Sequence, residues 1–324
     1  MRFLKPLLLS ALIAAGLAGA NAANHGDAKA APSVAKQAPV PLLWKVSDAD
    51  NSLYLLGSFH LLRPSDYPLS GDVDAAFADA ESVMFEMSPE EMSSPAVGIS
   101  MAKAAMRTDG TELNSELSPA TTKKLEAWLV ANDEALKKAG MPPELLQRFE
   151  PWFTGLLISI IEMGKHGLEQ KLGLDAHFAE EAKKAGKPTA GFETGEQQIA
   201  FLDGMGKKEQ LQLLDEALTE SEEGQQEIEK LHRAWRAGDA AVLWDEMAAE
   251  MRREYPELYK RINVERNDAW LPKLEQRLKE SESDDTLVVV GTLHLLGSDG
   301  VVEKLRAKGY KIERVCSACK PKKG

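Results

Sequence analysis

Two histidines stand in the same short pattern near opposite ends of the chain. One copy reads Leu55-Leu56-Gly57-Ser58-Phe59-His60-Leu61-Leu62, the other Val289-Val290-Gly291-Thr292-Leu293-His294-Leu295-Leu296. Each is an apolar, β-prone run, then Gly-[Ser/Thr]-apolar-His, then a Leu pair. The glycine permits a turn that a Cβ would hinder and lets another group come close. Two neutral imidazoles with one carboxylate make a first shell for a divalent transition metal, leaving positions for water and substrate. The third member is expected to be Glu86, near the C-terminal end of the apolar run Ser82-Val83-Met84-Phe85-Glu86-Met87. Ser58 or Thr292 is placed to orient an imidazole or a bound water through its hydroxyl.

Other polar residues have an ordinary reading beside the chemical one. Glu193 ends a short apolar run as Glu86 does, so it is either a second carboxylate at the crevice or a partner for the amides of the next helix. Arg266 and Asn267 fall on a helix. The arginine is suited to pair with a carboxylate or to bind a substrate carboxylate, a surface pairing being the default. Asp175 reads as a helix cap and Gln197 as the last residue of a T-x-x-Q capping box. His177 lies close enough in sequence to reach the site or simply to pack. His166 and His232 sit on helices without a partner pattern, and most of the 11 methionines read as core filler. The chain has no G-x-S-x-G elbow, H-E-x-x-H helix, P-loop or G-x-G-x-x-G after a strand.

The elements that must position these residues follow from patterning. Pro41–Val46 and Leu53–Leu56, separated by turn residues, predict a β-hairpin whose second strand delivers His60. Helical spacing over Gly71–Ala80 followed by the strand Ser82–Met87 predicts a βαβ unit with parallel strands. Residues 90–187 read as a helical insertion over the sheet, with a helix from Ser118 through Trp128 and a buried one after Pro151. A strand over Pro188–Glu193 follows, and Glu- and Lys-rich helices with solvated faces run to about residue 282. Thr286–Val290 is the strongest buried-strand signal, and a helix from Gly300 and a strand Lys311–Val315 complete the fold. The expected class is α/β, with a mixed, largely parallel central sheet. The carboxyl ends of its parallel strands form the ligand crevice, where His60, Glu86 and His294 fall.

The 324 residues carry a net charge of −12, with 44% hydrophobic and 28% charged residues. That acidic balance, without a basic run outside the C-terminal tail, argues against nucleic-acid binding. Residues 1–22 read as a removable signal peptide: Arg2 and Lys5, a short apolar core, then Ala20-Asn21-Ala22. Residues 23–40 read as a disordered linker and residues 41–324 as one domain. With no cysteine after the cleavage site to take a lipid, the mature protein is expected to be periplasmic and without a stable membrane anchor. Cys316 and Cys319, the only two cysteines, are expected to form a local disulfide in that compartment.

Taken in order, Leu-Leu-Gly-Ser-Phe-His (55–60), Phe-Glu-Met (85–87), Gly-Leu-Asp (173–175), Gly-Phe-Glu-Thr with Gln197, Glu-Arg-Asn (265–267) and Val-Gly-Thr-Leu-His (290–294) resemble the TraB/GumN family. That family is related to the TIKI metalloproteases and more distantly to erythromycin esterase-like and ChaN-like proteins. The resemblance implies a metal-dependent peptidase supported by manganese or cobalt, with zinc also possible. His60, Glu86 and His294 are then the metal set, with Glu86, Glu193, Arg266 and Asn267 as catalytic residues. In that scheme Glu193, or Glu86 where it is not a ligand, is the general base, and Arg266 holds a substrate or transition-state charge. The substrate is a peptide or small molecule. The alternatives are a periplasmic metal- or cofactor-binding protein, a metal-independent esterase-like hydrolase and a structural partner in an envelope assembly.

Overall fold

Alternating apolar residues around the turn at Asp48-Ala49-Asp50 close an antiparallel hairpin, β1 (Leu43–Ser47) with β2 (Ser52–Ser58). These strands belong to a computed structural model that describes residues 37–319, apart from 139, 224 and 281–283. The signal-peptide reading of residues 1–22 and the linker reading up to residue 36 lie outside the described residues. The last residues of the expected linker are not free, however. Val40 N donates to Arg236 O, and Arg236 donates to Gln37 O, so this stretch lies along the helix Gln225–Ala237.

The remaining strands are β3 (Ser82–Met87), β4 (Thr189–Glu193), β5 (Thr286–Gly291) and β6 (Lys311–Arg314). They form one six-stranded sheet in the order β4-β3-β5-β2-β1-β6. The four strands β4, β3, β5 and β2 run parallel, while β1 and β6 are antiparallel. The predicted α/β class with a mixed, largely parallel sheet is thus observed. The helix Gly71–Asp79 does connect parallel strands, but β5 lies between them. A strand buried on both faces reads as an unbroken apolar run, and every residue of β2 and β5 is buried. The edge strand β6 instead exposes Lys311 and Glu313, charges that discourage pairing with another chain.

Proline at the first turn opens many of the helices, where its missing N–H costs nothing. The helix beginning at Pro119 runs to Lys138, ten residues past the expected end. Asn132 interrupts the apolar stripe there, yet it is buried and donates to Trp128 O within the same helix. Pro151–Lys165 packs on Lys207–Glu223 at a close crossing, where a Cβ on Gly155 would lie 3.1 Å from Leu214 Cα. The region read as solvated helices also contains two π-helical segments, Trp244–Ala249 and Lys260–Val264. Periodicity gives no warning of such turns. Cys316 and Cys319 are disulfide-bonded, as expected. Among the described residues, no helix is long and apolar enough to cross a membrane.

Candidate active site

Four parallel strands with a common direction bring four carboxyl ends to one edge of the sheet. In spatial order these ends carry Glu193 on β4, Glu86 on β3, His294 just beyond β5 and His60 just beyond β2. The two histidine motifs lie on adjacent strands, with Ser58 paired to Gly291. Thr292 Oγ1 donates to Ser58 O at 2.9 Å, so this hydroxyl ties the motifs together rather than orienting an imidazole.

His60 is held from behind by a residue whose place in the sequence suits a helix cap. Its Nδ1 donates to Asp175 Oδ2 at 2.6 Å, and Ser58 Oγ donates to the same oxygen at 2.5 Å. The Leu174–Ala185 helix receives no side-chain cap bond. Gly173 explains how Asp175 arrives there: a Cβ at that position would sit 2.0 Å from His60 O, so only glycine lets the loop pass so close. With Nδ1 protonated toward Asp175, the Nε2 lone pair of His60 faces the cleft, 3.8 Å from Glu86 Oε1. Burial lowers the His60 pKa, but Asp175 and Glu86 outweigh it, and the net shift is upward from 6.5.

His294 is fixed differently. Nδ1 donates to Asn267 Oδ1 at 2.6 Å, and Nε2 accepts from Arg266 Nη1 at 3.1 Å while standing 3.9 Å from Glu86 Oε1. Burial and the adjacent guanidinium push its pKa down to about 3, so this imidazole is neutral at pH 7. Arg266 is 2% exposed, a correction to the expected surface pairing. Its Nε and Nη2 grip Glu193 at 2.8 Å each, and Nη2 also donates to Glu86 Oε2 at 2.6 Å. Burial opposes ionisation of Glu86, but Arg266, the two imidazoles once protonated in acid, and Gly291 N–H hold its carboxyl at about 2. Glu193 has little capacity left for base chemistry, because Trp270 Nε1 and Gln198 Nε2 donate to it as well.

Tertiary structure adds Asp175, Trp270 and Gln198 to the set. Trp270 had a usable signal, being one helical turn beyond Arg266 and so on the same face. Its ring lies 4.3 Å from that of His294 and beneath the guanidinium. His177 does not enter the site; it packs on Tyr67 and Phe178. His232 has a partner after all, its Nε2 lying 2.8 Å from the fully buried Asp66, behind Phe59.

Gly291 is the floor of the centre. A Cβ there would meet His60 Nε2 at 2.9 Å and Glu86 Oε1 at 3.1 Å, although the backbone (φ −48°, ψ 133°) tolerates any residue. Gly291→Ala is therefore expected to misplace His60 and cut turnover on the order of 10²-fold. The melting temperature should stay within about 4 °C of wild type. Equal turnover in the two proteins, measured beside their melting curves, would remove Gly291 from the site.

The metal that the resemblance implies does not fit this arrangement. Among the described residues, no group of three or more His, Cys, Asp or Glu side chains is placed to hold a metal ion. The donor types are suitable, but the one lone pair of His294 Nε2 is taken by Arg266 Nη1, and Glu86 already accepts from Arg266 Nη2 and Gly291 N. The guanidinium already supplies the cation at this position, and a second one beside it would be repelled.

Fold and site together define a mixed α/β protein with a histidine–carboxylate–arginine centre at the C-terminal edge of its parallel strands. The chain belongs to the TraB/PrgY/gumN family, whose family model matches residues 42–314. No curated protein matches the chain. No solved structure matches it.

Proposed function

We propose that this protein is a hydrolase of amide or ester bonds in which His60 is the general base. The observation that carries this reading is the Asp175–His60 pair, whose imidazole turns its free Nε2 lone pair into the cleft beside Glu86. An aspartate behind Nδ1 fixes the tautomer and supports the positive charge that forms when Nε2 takes a proton. His60 accepts the proton of an attacking water and returns it to the leaving group. His294, kept neutral, and Glu86, kept ionised, shape the polar end of the cleft, and Arg266 balances the carboxylates around it. The periplasmic setting is part of the proposal and rests on the leader-like composition of residues 1–22.

Metal dependence is the direct test. Wild-type protein dialysed against a chelator, with metal content measured by elemental analysis, is expected to hydrolyse a panel of esters and peptides within about twofold of the untreated rate. Activity lost on chelation and restored by manganese, cobalt or zinc would overturn the metal-free reading. It would favour an ion recruited by His60, Glu86 and His294 after Arg266 moves. Bound metal with no turnover on any substrate would favour a binding protein instead.

A further inference from the structure

The cleft beyond His60 has a wall that the acid–base chemistry does not use. It is lined by Phe59 and Leu293 from the two histidine motifs and by Met247, Met251 and Ile262 from the facing helices. All five are buried, between 1% and 5% exposed. Met247 and Ile262 lie on the two π-helical segments, and Met251 follows one turn after the first. A π turn inserts a residue and re-aims the side chains around it, and such turns are concentrated at functional sites. Here two of them face one cleft. Besides the two imidazoles, Glu86 is the one ionic side chain among the lining residues. The other polar members include Tyr259 and Asn263, which bond each other at 3.2 Å, and Tyr259 stays un-ionised with its pKa pushed by burial up to about 12.

We propose that this wall selects the substrate: the acyl compound hydrolysed at His60 carries an uncharged apolar side group, seated against Met247, Met251 and Ile262. The inference rests on the hydrolase reading. A charged group seated against Met247, Met251 and Ile262 would lie on methyl and thioether surface that offers it no hydrogen bond, at heavy cost. Methionine suits the role because its flexible, polarisable side chain adapts to groups of different shape. Each methylene buried there is worth about fourfold in kcat/KM.

The test uses p-nitrophenyl esters of N-acetylated alanine, leucine, lysine and glutamate, with wild-type, Met251→Gln and Met247→Gln proteins. The leucine ester is expected to exceed the lysine and glutamate esters by about tenfold or more in kcat/KM. Both variants should bring its advantage over the alanine ester toward one; if Met251→Gln does not fold, Met247→Gln decides. Preference for a charged ester, or an unchanged leucine-to-alanine ratio in the folded variants, overturns the proposal. A second readout does not need turnover. In His60→Ala protein with ¹³C-methyl methionine, N-acetyl-leucine amide should shift the Met247 and Met251 signals, and the lysine and glutamate amides should not. If no ester is hydrolysed, the hydrolase reading falls. The leucine-specific shift then still supports the apolar wall, and its absence removes it.

Discussion

Replacing His60 by alanine is expected to lower turnover by about 10²–10⁴-fold, the range of a lost general base. The melting curve should stay close to wild type, because the imidazole packs at the cleft surface rather than in the core. The pH profile is more diagnostic than the loss itself. The His60 pKa lies above 6.5, since the carboxylates of Asp175 and Glu86 outweigh burial. A base works only when unprotonated, so kcat/KM should rise with pH through that raised pKa and then level off. Asp175→Asn keeps an oxygen for the Nδ1–H but removes the charge. Its expected result is a lower plateau, with the rising limb shifted to lower pH. A profile that does not move in Asp175→Asn, or full turnover in His60→Ala, would sink the assignment. His294→Ala should act differently: with a pKa of about 3, His294 contributes no titration near neutrality, and its loss should lower the plateau without moving the limb.

Arg266→Met is expected to be the most destabilising change at the site. It strands Glu86 and Glu193, which are 4% and 8% exposed, without their counter-charge. Breaking a buried pair by removing one partner costs about 3–5 kcal/mol, a fall in melting temperature of roughly 6–15 °C at this size. The cost should depend on pH in a stated direction. Glu86 has its carboxyl depressed from 4.5 to about 2 in the folded protein. Its contribution to wild-type stability is therefore present above pH 4.5 and is lost as pH falls toward 2. The gap between wild type and Arg266→Met should be widest above pH 4.5 and should narrow in acid. Adding Glu193→Leu should recover part of the loss, since one of the stranded charges is then gone. Melting curves that coincide at pH 7 would show that the guanidinium is not the counter-charge of this centre.

Much of the scaffold was legible because its signals are local. The hairpin, the Thr194–Gln197 capping box and the left-handed Gly186 that ends the Leu174–Ala185 helix all depend on residues a few positions apart. The fully buried strands β2 and β5 announced themselves as unbroken apolar runs. What was misread depends on partners distant in sequence. Asp175 occupies a helix first turn, where an acidic side chain is expected to face the amides. Its actual partner, His60, is more than a hundred residues away and arrives only because Gly173 permits the close approach. Arg266 looked like a surface residue on a charged helix, since nothing nearby in sequence shows that its helix lies over the ends of β3 and β4.

The sequence by itself determined which residue types reach the reactive edge. A glycine followed by histidine at two strand ends, with glutamates at two more, already fixes imidazoles and carboxylates along one rim of a parallel sheet. Tertiary structure alone decided how they are wired. Strand order sets Glu86 beside both imidazoles. Arg266 then takes lone pairs that a metal would need, and Asp175 makes the two histidines unequal. The division has one physical reason: strand and turn signals come from neighbouring residues. Charge state, tautomer and pairing come from atoms within about 4 Å in space, where Coulomb and hydrogen-bond energies are large.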